Sequence, residues 1–246
     1  NYKKNNILRL FKVKSPLARF YKNTNDIEKT FSCFKKIYVR SEFERDHIKQ
    51  VYDLPNNKFE LVPLSYSETC LPYEPVEKES FCLHISSIYQ ERKNVVRLIN
   101  AAKKYGFKLV LAGNKGSDKQ FEPIAKAIGD AENIEVLGFI SEDQKIDLYK
   151  RAKVFALPSI QEGVGIVALD AAYYGCEIAI TNIPGPKEYY KGQCVEVDPF
   201  DIDDIGSNIL KLMHDEVRFQ PKLSEYIKNS YSPKIIASRL EKSYLV

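Results

Sequence analysis

The stretch richest in potential chemistry runs from Ser159 to Asp170, with the sequence SIQEGVGIVALD. Two acidic residues, Glu162 and Asp170, flank a pair of glycines, Gly163 and Gly165. The stretch follows a predicted strand and opens a predicted helix, which is where an open α/β sheet binds its ligands. Glycines let the backbone approach a ligand, and the free N–H groups of a helix N-terminus attract an anion such as a diphosphate.

The spacing of the two carboxylates limits what they can do together. On one helix, a separation of eight residues offsets them by roughly 12 Å. That is too far for an acid/base pair acting on one bond, since such pairs stand about 5–10 Å apart. The spacing suits Glu162 and Asp170 holding hydroxyls at opposite ends of an extended, diphosphate-bridged molecule. The alternative is a capping acid and a surface acid, with the two glycines serving only a tight turn.

Two further clusters follow predicted strands. Arg92-Lys93-Asn94 stands at the start of a predicted helix, where a lysine opposes the helix dipole unless it helps to neutralise a phosphate. A solvated basic pair is the alternative. The segment that begins with Gly113, GNKG, could hold a phosphate, but it lacks both the G-x-G-x-x-G and the Walker spacing. A plain turn is the favoured interpretation of that segment.

The composition excludes several other classes of protein. With 44% hydrophobic and 28% charged residues the chain is typical of a globular protein and not of a disordered one. The five cysteines include no Cys-x-x-Cys, which argues against a zinc site or a disulfide framework and favours a cytoplasmic location. Gly-x-Ser-x-Gly and His-x-x-x-His are absent, and no metal site is expected. His47, His84 and His214 are predicted to be structural, His84 within a buried strand.

The basic residues are concentrated at the start of the chain. Residues 3–22 carry seven Lys and Arg, and the first acid is Asp26, whereas the net charge of the whole chain is only +4. The remainder is therefore slightly acidic, and nucleic acid is not an expected partner. Two interpretations of residues 3–22 stay open, a solvated helix face and a peripheral contact with an anionic membrane surface.

The pattern of apolar runs predicts the elements that must position these clusters. Helical spacing predicts helices at Asn94–Tyr105, Ile146–Ala152 and Leu169–Tyr174, the second preceded by a capping box of Ser141 and Gln144. Alternating strands and helices indicate an α/β fold with a doubly wound parallel sheet. The predicted strands of this sheet are Phe81–Ile85, Phe107–Ala112, Ile134–Leu137, Val154–Leu157, Glu177–Thr181 and Cys194–Val197.

The α/β domain is predicted to occupy residues 80–231, after a Pro- and Glu-rich linker at 66–79. Residues 1–65 contain only two predicted strands, Ile37–Arg40 and Phe59–Pro63, and a helix that Ser41 and Glu44 begin. So small a segment buries too little apolar surface for its own core. We therefore expect a partial second domain whose first half lies outside this chain.

Several quoted pieces resemble one known family in sequence and order. From Phe81 to Met213 the chain resembles the nucleotide-sugar-binding domain of retaining family 4 glycosyltransferases, which have the GT-B fold. Residues 37–63 resemble the end of the family's N-terminal domain, and 232–246 the C-terminal helix that crosses back to it. The matching pieces are RKN at 92–94, LVLAG at 109–113, VLGFIS at 136–141, LYKRAKVFALPS at 148–159, the EGVG run at 162–165 and PGPKE at 184–188.

The resemblance implies roles for individual residues. Lys93, with Arg92 beside it, matches the cation that contacts the donor diphosphate, and Glu162 matches the acid that faces the donor sugar. Asp170 stands where the family has a Glu that holds the ribose hydroxyls. The remaining implied donor-binding positions are Gly113, Ile140, Gly163, Gly165, Ile166 and Val167, with the backbone of 165–167 on the phosphates and Ile140 beside the base.

The implied function is transfer of a hexose from a nucleoside diphosphate sugar to a saccharide or lipid-linked acceptor, with retention of configuration and without metal or other cofactor. Two departures bear on it: Asp170 is one methylene shorter than Glu, and Ser87 stands near the place of a family Arg. This chain alone is expected to be inactive, because the acceptor half is missing. The alternatives are a non-catalytic nucleotide-binding module and a sugar-nucleotide epimerase of the same fold.

Overall fold

The computed structural model describes residues 27, 29–31 and 33–244. The chain divides between Pro63 and Leu64 into two compact units, unit 1 before this point and unit 2 after it. The basic stretch at residues 3–22, and with it the predicted membrane contact, lies outside the described residues.

Unit 1 contains a strand–helix–strand motif with two parallel strands. Strand β1 is Ile37–Val39, helix α1 is Glu42–Tyr52 and strand β2 is Phe59–Leu61. The Ser41 hydroxyl accepts the N–H of Glu44, as the sequence predicts, and so begins α1. The Glu44 carboxylate, however, accepts from the backbone N–H and the guanidinium of Arg40, so the cap is not the reciprocal box.

Among the described residues, unit 2 contains a six-stranded sheet and seven α-helices. Its strands are β3 Glu79–Ile85, β4 Leu109–Ala112, β5 Ile134–Gly138, β6 Ala152–Leu157, β7 Glu177–Thr181 and β8 Val195–Val197. Its helices are α2 Val95–Tyr105, α3 Asp118–Ile128, α4 Glu142–Arg151, α5 Ile166–Tyr173, α6 Ile202–Met213, α7 Lys222–Ser230 and α8 Pro233–Tyr244.

The strand order is β5-β4-β3-β6-β7-β8, and every neighbouring pair is parallel. From β3 the chain adds β4 and β5 on one side, then returns to place β6 on the other side of β3 and adds β7 and β8 beyond it. The reversal places a switch point between β3 and β6, where sheets of this kind bind ligands. This topology confirms the predicted doubly wound, Rossmann-like fold.

Alternate residues of each strand point to opposite faces of the sheet and contribute to two hydrophobic clusters, one on each face. On one face the strands pack against α4, α5 and α7, as Leu83, Phe155 and Ile178 do. On the other face they pack against α2, α3 and α6, as Cys82, Val154 and Ala179 do. Burial on both faces explains why these strands are nearly continuous apolar runs in the sequence.

The segment from Leu64 to Tyr73, here called the strap, belongs to unit 2 and has no regular secondary structure, but it packs against the rest of that unit. The N–H of Leu64 donates to the Tyr189 hydroxyl, and the N–H of Tyr66 donates to the Tyr231 carbonyl. The N–H of Leu71 donates to the hydroxyl of Tyr174. Residues at 66 and 71, predicted as part of a linker, are thus held to the rest of unit 2 by hydrogen bonds.

Candidate functional site

The candidate site lies at the carboxyl ends of β3 and β6, the two strands at the switch point. A single 3₁₀ turn, Glu91–Lys93, and then helix α2 follow β3. The loop 158–165 and then helix α5 follow β6. Because β3 and β6 are paired, the sheet brings these two loops side by side although about seventy residues separate them in sequence.

Backbone and amide hydrogen bonds join the two loops. Asn94 adopts a left-handed conformation with φ 61°, which asparagine tolerates better than most residues. Its side-chain amide donates to the carbonyls of Pro158, at 2.9 Å, and Pro199, at 2.6 Å. The N–H of Ile160 donates to the Arg92 carbonyl at 2.8 Å. These bonds fix the position of Lys93 relative to the loop that carries Glu162.

Lys93 and Glu162 form a nearly buried ion pair. Nζ of Lys93 lies 2.5 Å from Oε2 of Glu162, and each side chain is only 11% exposed. The other carboxylate oxygen accepts the N–H of Gly163 at 3.2 Å. An ammonium group carries three N–H donors, and Glu162 is its only partner among the residues that the structure describes. The pair is therefore preorganised, with donors left for a further anion.

The N-terminus of α5 faces the same edge of the sheet. Gly165 precedes it at φ 74°, and a Cβ there would lie 2.7 Å from Cδ2 of Leu157, so glycine is needed on both counts. In the described part of the chain nothing accepts the N–H of Ile166 or Val167, whereas the Ala168 N–H donates to the Gly165 carbonyl. Two free donors at a helix N-terminus suit an anion.

Glu162 and Asp170 do not lie on one helix. Helix α5 begins at Ile166, so Glu162 lies in the preceding loop and only Asp170 is helical. The glycines and Val164 between them form the turn into the helix instead of its first turn. The offset of eight helical residues therefore does not describe this site.

Asp170 is 2% exposed, and its carboxylate accepts hydrogen bonds from the strap. Its Oδ1 accepts the N–H of Ser67 at 2.8 Å, and its Oδ2 accepts the Ser67 hydroxyl at 2.6 Å. The Cys70 thiol lies 3.5 Å from Oδ1, and burial raises the pKa of that thiol. The ribose role of Asp170 stays a prediction, and its carboxylate already has donors within the protein.

Three other predicted positions have observable roles of their own. Gly113 has φ 114°, and a Cβ there would lie 2.0 Å from the Ser86 carbonyl oxygen, while its N–H donates to Gly138. Glycine is thus required where the loops after β3 and β4 meet. Ile140 packs partly against the core, and the exposed Arg92 guanidinium lies 3.5 Å from the Gln161 carbonyl. Their roles toward a ligand stay predictions.

His84 is a buried residue of β3, as predicted, but its contacts reach the site. Its Nδ1 lies 2.8 Å from the Ala156 carbonyl, which can only accept, and its Nε2 lies 2.7 Å from the Ser86 hydroxyl. Burial lowers the pKa of His84 to about 4, the backbone bond to Ala156 opposes this, and the Lys93 ammonium lowers it further. The neutral ring therefore accepts a hydrogen bond from Ser86.

Sequence reasoning missed what Asn94 and Ser86 do. The signal for Asn94 was a turn-forming residue directly before a helix, and for Ser86 a hydroxyl directly after a buried strand.

Across the described ranges no group of three or more His, Cys, Asp or Glu side chains could hold a metal ion. Nor is any helix in the described part of the chain both long and apolar enough to cross a membrane.

Comparisons with known proteins find glycosyltransferases among the relatives of this chain. The O-antigen chain mannosyltransferase B of Escherichia coli is 23% identical over 209 residues, which is 77% of this chain and 54% of that protein. The serotype-specific mannosyltransferase WbdA of Escherichia coli is 29% identical over 152 residues, 58% of this chain and 18% of WbdA. This chain thus spans about half the length of the first relative and less of the second.

A solved structure, sucrose-phosphate synthase from Thermosynechococcus elongatus, superposes with a TM-score of 0.78 at 17% identity, covering 96% of this chain and 64% of that one. At this identity the likeness supports the GT-B type of fold. The model of a family described as glycosyl transferases group 1 matches residues 72–232. Since that match spans well over half of the sequence, the chain belongs to the glycosyl transferases group 1 family.

Proposed function

We propose that unit 2 binds a nucleoside diphosphate hexose and that the full enzyme transfers the hexose to a saccharide or lipid-linked acceptor. The observation that carries this proposal is the Lys93–Glu162 pair at the switch point, beside the free N–H groups of α5. Two relatives named mannosyltransferases favour mannose as the hexose to test first.

The diphosphate is assigned to Lys93 and the N-terminus of α5. Lys93 has two N–H donors beyond the one it gives to Glu162, and Ile166 and Val167 supply backbone N–H groups. Phosphate oxygens accept both kinds of donor, and the helix dipole adds a favourable potential. Arg92, which is exposed and adjacent, adds a second positive charge near the leaving group.

Glu162 is assigned to the sugar. Its side chain lies in the loop directly before the α5 N-terminus, so a sugar attached to a diphosphate at that helix would lie near its carboxylate. In the transfer step, the bond between the anomeric carbon and the diphosphate oxygen breaks, and its electron pair leaves with the diphosphate. An acceptor oxygen bonds to the same face of that carbon, and its proton passes to the departing diphosphate. Lys93 and the helix N-terminus stabilise the negative charge that develops.

The chain covers about half of its first curated relative, so an acceptor half is assigned to the remainder of a longer enzyme. We accordingly propose that these 246 residues bind donor but transfer no sugar, since transfer depends on holding both reactants together. A cytoplasmic enzyme that contacts the membrane through residues 3–22 fits a lipid-linked acceptor; co-sedimentation with anionic vesicles tests that contact.

A thermal-shift panel of UDP, GDP, ADP and their hexose conjugates tests donor binding. A nucleotide at 100 times its dissociation constant should stabilise the protein by roughly 2.7 kcal/mol. Lys93→Ala should weaken binding of that nucleoside diphosphate by about 1.5–3 kcal/mol, the value of a charge-assisted contact, and leave the plain nucleoside unaffected.

Lys153→Ala is the matched control, because Lys153, whose side chain is 18% exposed, also pairs with a carboxylate, Asp215 at 2.6 Å, but at the opposite end of β6. It should leave nucleotide binding unchanged. Equal losses for nucleoside and nucleoside diphosphate in Lys93→Ala would contradict the assignment, as would a panel in which nothing binds.

A further inference from the structure

The strap occupies the carboxylate to which the ribose is assigned. Its Ser67 contributes two donors, the backbone N–H and the hydroxyl, to the two oxygens of Asp170. The Cys70 thiol is the third group near that carboxylate. With 2% of Asp170 exposed, no ligand hydroxyl can reach it while Ser67 stays in place.

The remaining strap contacts do not involve Asp170. The Thr69 hydroxyl donates to Oε1 of Glu142, on α4, at 2.7 Å, and the Leu71 N–H donates to the Tyr174 hydroxyl at 3.2 Å. The strap is therefore held at several points. Displacing Ser67 alone would not require the rest of the strap to leave.

A carboxylate that is buried and ionised needs donors, because burial without them is strongly unfavourable. Ser67 supplies an N–H and an O–H donor in the free protein, and the paired hydroxyls of a ribose would supply two O–H donors to the same two oxygens. Because Asp170 is only 2% exposed with Ser67 in place, the two sets of donors cannot both reach the carboxylate.

We propose that Ser67 sets the affinity for the donor: it holds the Asp170 carboxylate in the free protein, and a ribose binds there only by displacing it. This inference rests on the proposed donor function and on the ribose role of Asp170. Ser67 is a residue that regulates affinity by competition and takes no part in the transfer step.

The test is the affinity of purified Ser67→Ala for the nucleoside diphosphate that the panel identifies. Removing the hydroxyl frees Oδ2, so we expect tighter binding, by about fivefold, the equivalent of one net hydrogen bond. Binding of the 2′,3′-dideoxy form of the same nucleotide should not change, because it has no hydroxyl to use the freed oxygen. In an Asp170→Ala background, Ser67→Ala should have no effect on affinity.

Thr69→Val is the matched control, since it removes a hydroxyl of the same strap that contacts Glu142 and not Asp170. We expect it to leave nucleotide affinity unchanged. Hydrogen exchange adds a direct readout: saturating nucleotide should accelerate exchange of the Ser67 amide about tenfold or more, while the Leu71 amide stays protected.

Weaker or equal binding by Ser67→Ala, or slower Ser67 exchange with nucleotide, would overturn the competition and leave the donor function standing. Equal tightening by Thr69→Val would show that loosening the strap, and not freeing Asp170, controls affinity. If no nucleotide of the panel binds the unaltered protein, the proposed function fails and this inference fails with it.

Discussion

Acidification should destabilise this protein through His84, because burial lowers the pKa of that ring to about 4 from an ordinary value of 6.5. The folded state thus resists a proton that the unfolded chain accepts. Stability from this group is fully present above pH 6.5 and is lost as the pH falls from 6.5 toward 4.

The size of the effect follows from the two pKa values. A difference of about 2.5 units corresponds to about 3 kcal/mol when integrated to pH 4, at 1.36 kcal/mol per unit. Between pH 7.5 and 5 the loss is about 2 kcal/mol. Salt bridges lower the pKa of carboxylates such as Glu79 and Asp215 in the folded protein. The window from pH 7.5 to 5 lies above even their ordinary pKa, so these carboxylates stay largely ionised in the folded and the unfolded state.

Urea unfolding at several pH values measures this loss, and His84→Asn is the matched variant. An asparagine amide can still donate to the Ala156 carbonyl but does not titrate. We expect His84→Asn to be less stable than the unaltered protein at pH 7.5 and to lose about 2 kcal/mol less between pH 7.5 and 5. The same slope in both proteins would refute the assignment of the effect to His84.

The remaining predictions concern the loops of the site. Gly113→Ala should lower the unfolding free energy by about 3 kcal/mol or more, because the added Cβ would clash with the Ser86 carbonyl. Gly106→Ala, at φ 73° with nothing within 4 Å of the added Cβ, should lower it by only about 1 kcal/mol. Chemical denaturation measures both losses, and equal losses would contradict the packing argument. Asn94→Ala should lower the unfolding free energy by about 2–4 kcal/mol because two buried carbonyls lose their donor. Asn94→Gly should recover only the part of this loss that comes from the backbone strain of alanine at φ 61°. Full recovery by glycine would show that the amide contacts contribute nothing.

Local pattern was enough to predict elements whose ends are marked by their own residues. Strand β7 matches the prediction at both ends because a glycine and a cysteine precede its apolar run and an asparagine follows it. The capping box of α4 is confirmed, since Gln144 N–H donates to the Ser141 hydroxyl and the Ser141 N–H donates back to the Gln144 amide. Both signals act within a few residues of the chain.

Helix α5 shows where local pattern failed. Its predicted start, Leu169, is three residues late, because Ile166 and Val167 are apolar residues that strands also favour and glycines precede them. A separate argument, the helical offset between Glu162 and Asp170, does not apply because Glu162 lies in the loop before α5.

The contacts that build the site depend on distances in sequence that no local pattern encodes. Lys93 and Glu162 meet only because β3 and β6 are neighbours, which follows from the order in which the sheet is assembled. Likewise, the composition of residues 66–79 indicates a linker, but it cannot show that Ser67 contacts a carboxylate about a hundred residues later.

The packing of the strap on the rest of unit 2 determines where this chain can be joined to another in a chimera. A chimera cut at residue 80, where the apolar periodicity begins, would exchange the strap and leave the Asp170 carboxylate facing a foreign segment. A junction between Pro63 and Leu64 keeps Ser67 with Asp170 and Leu71 with Tyr174. The unit that can be transplanted intact therefore begins fifteen residues before its first strand.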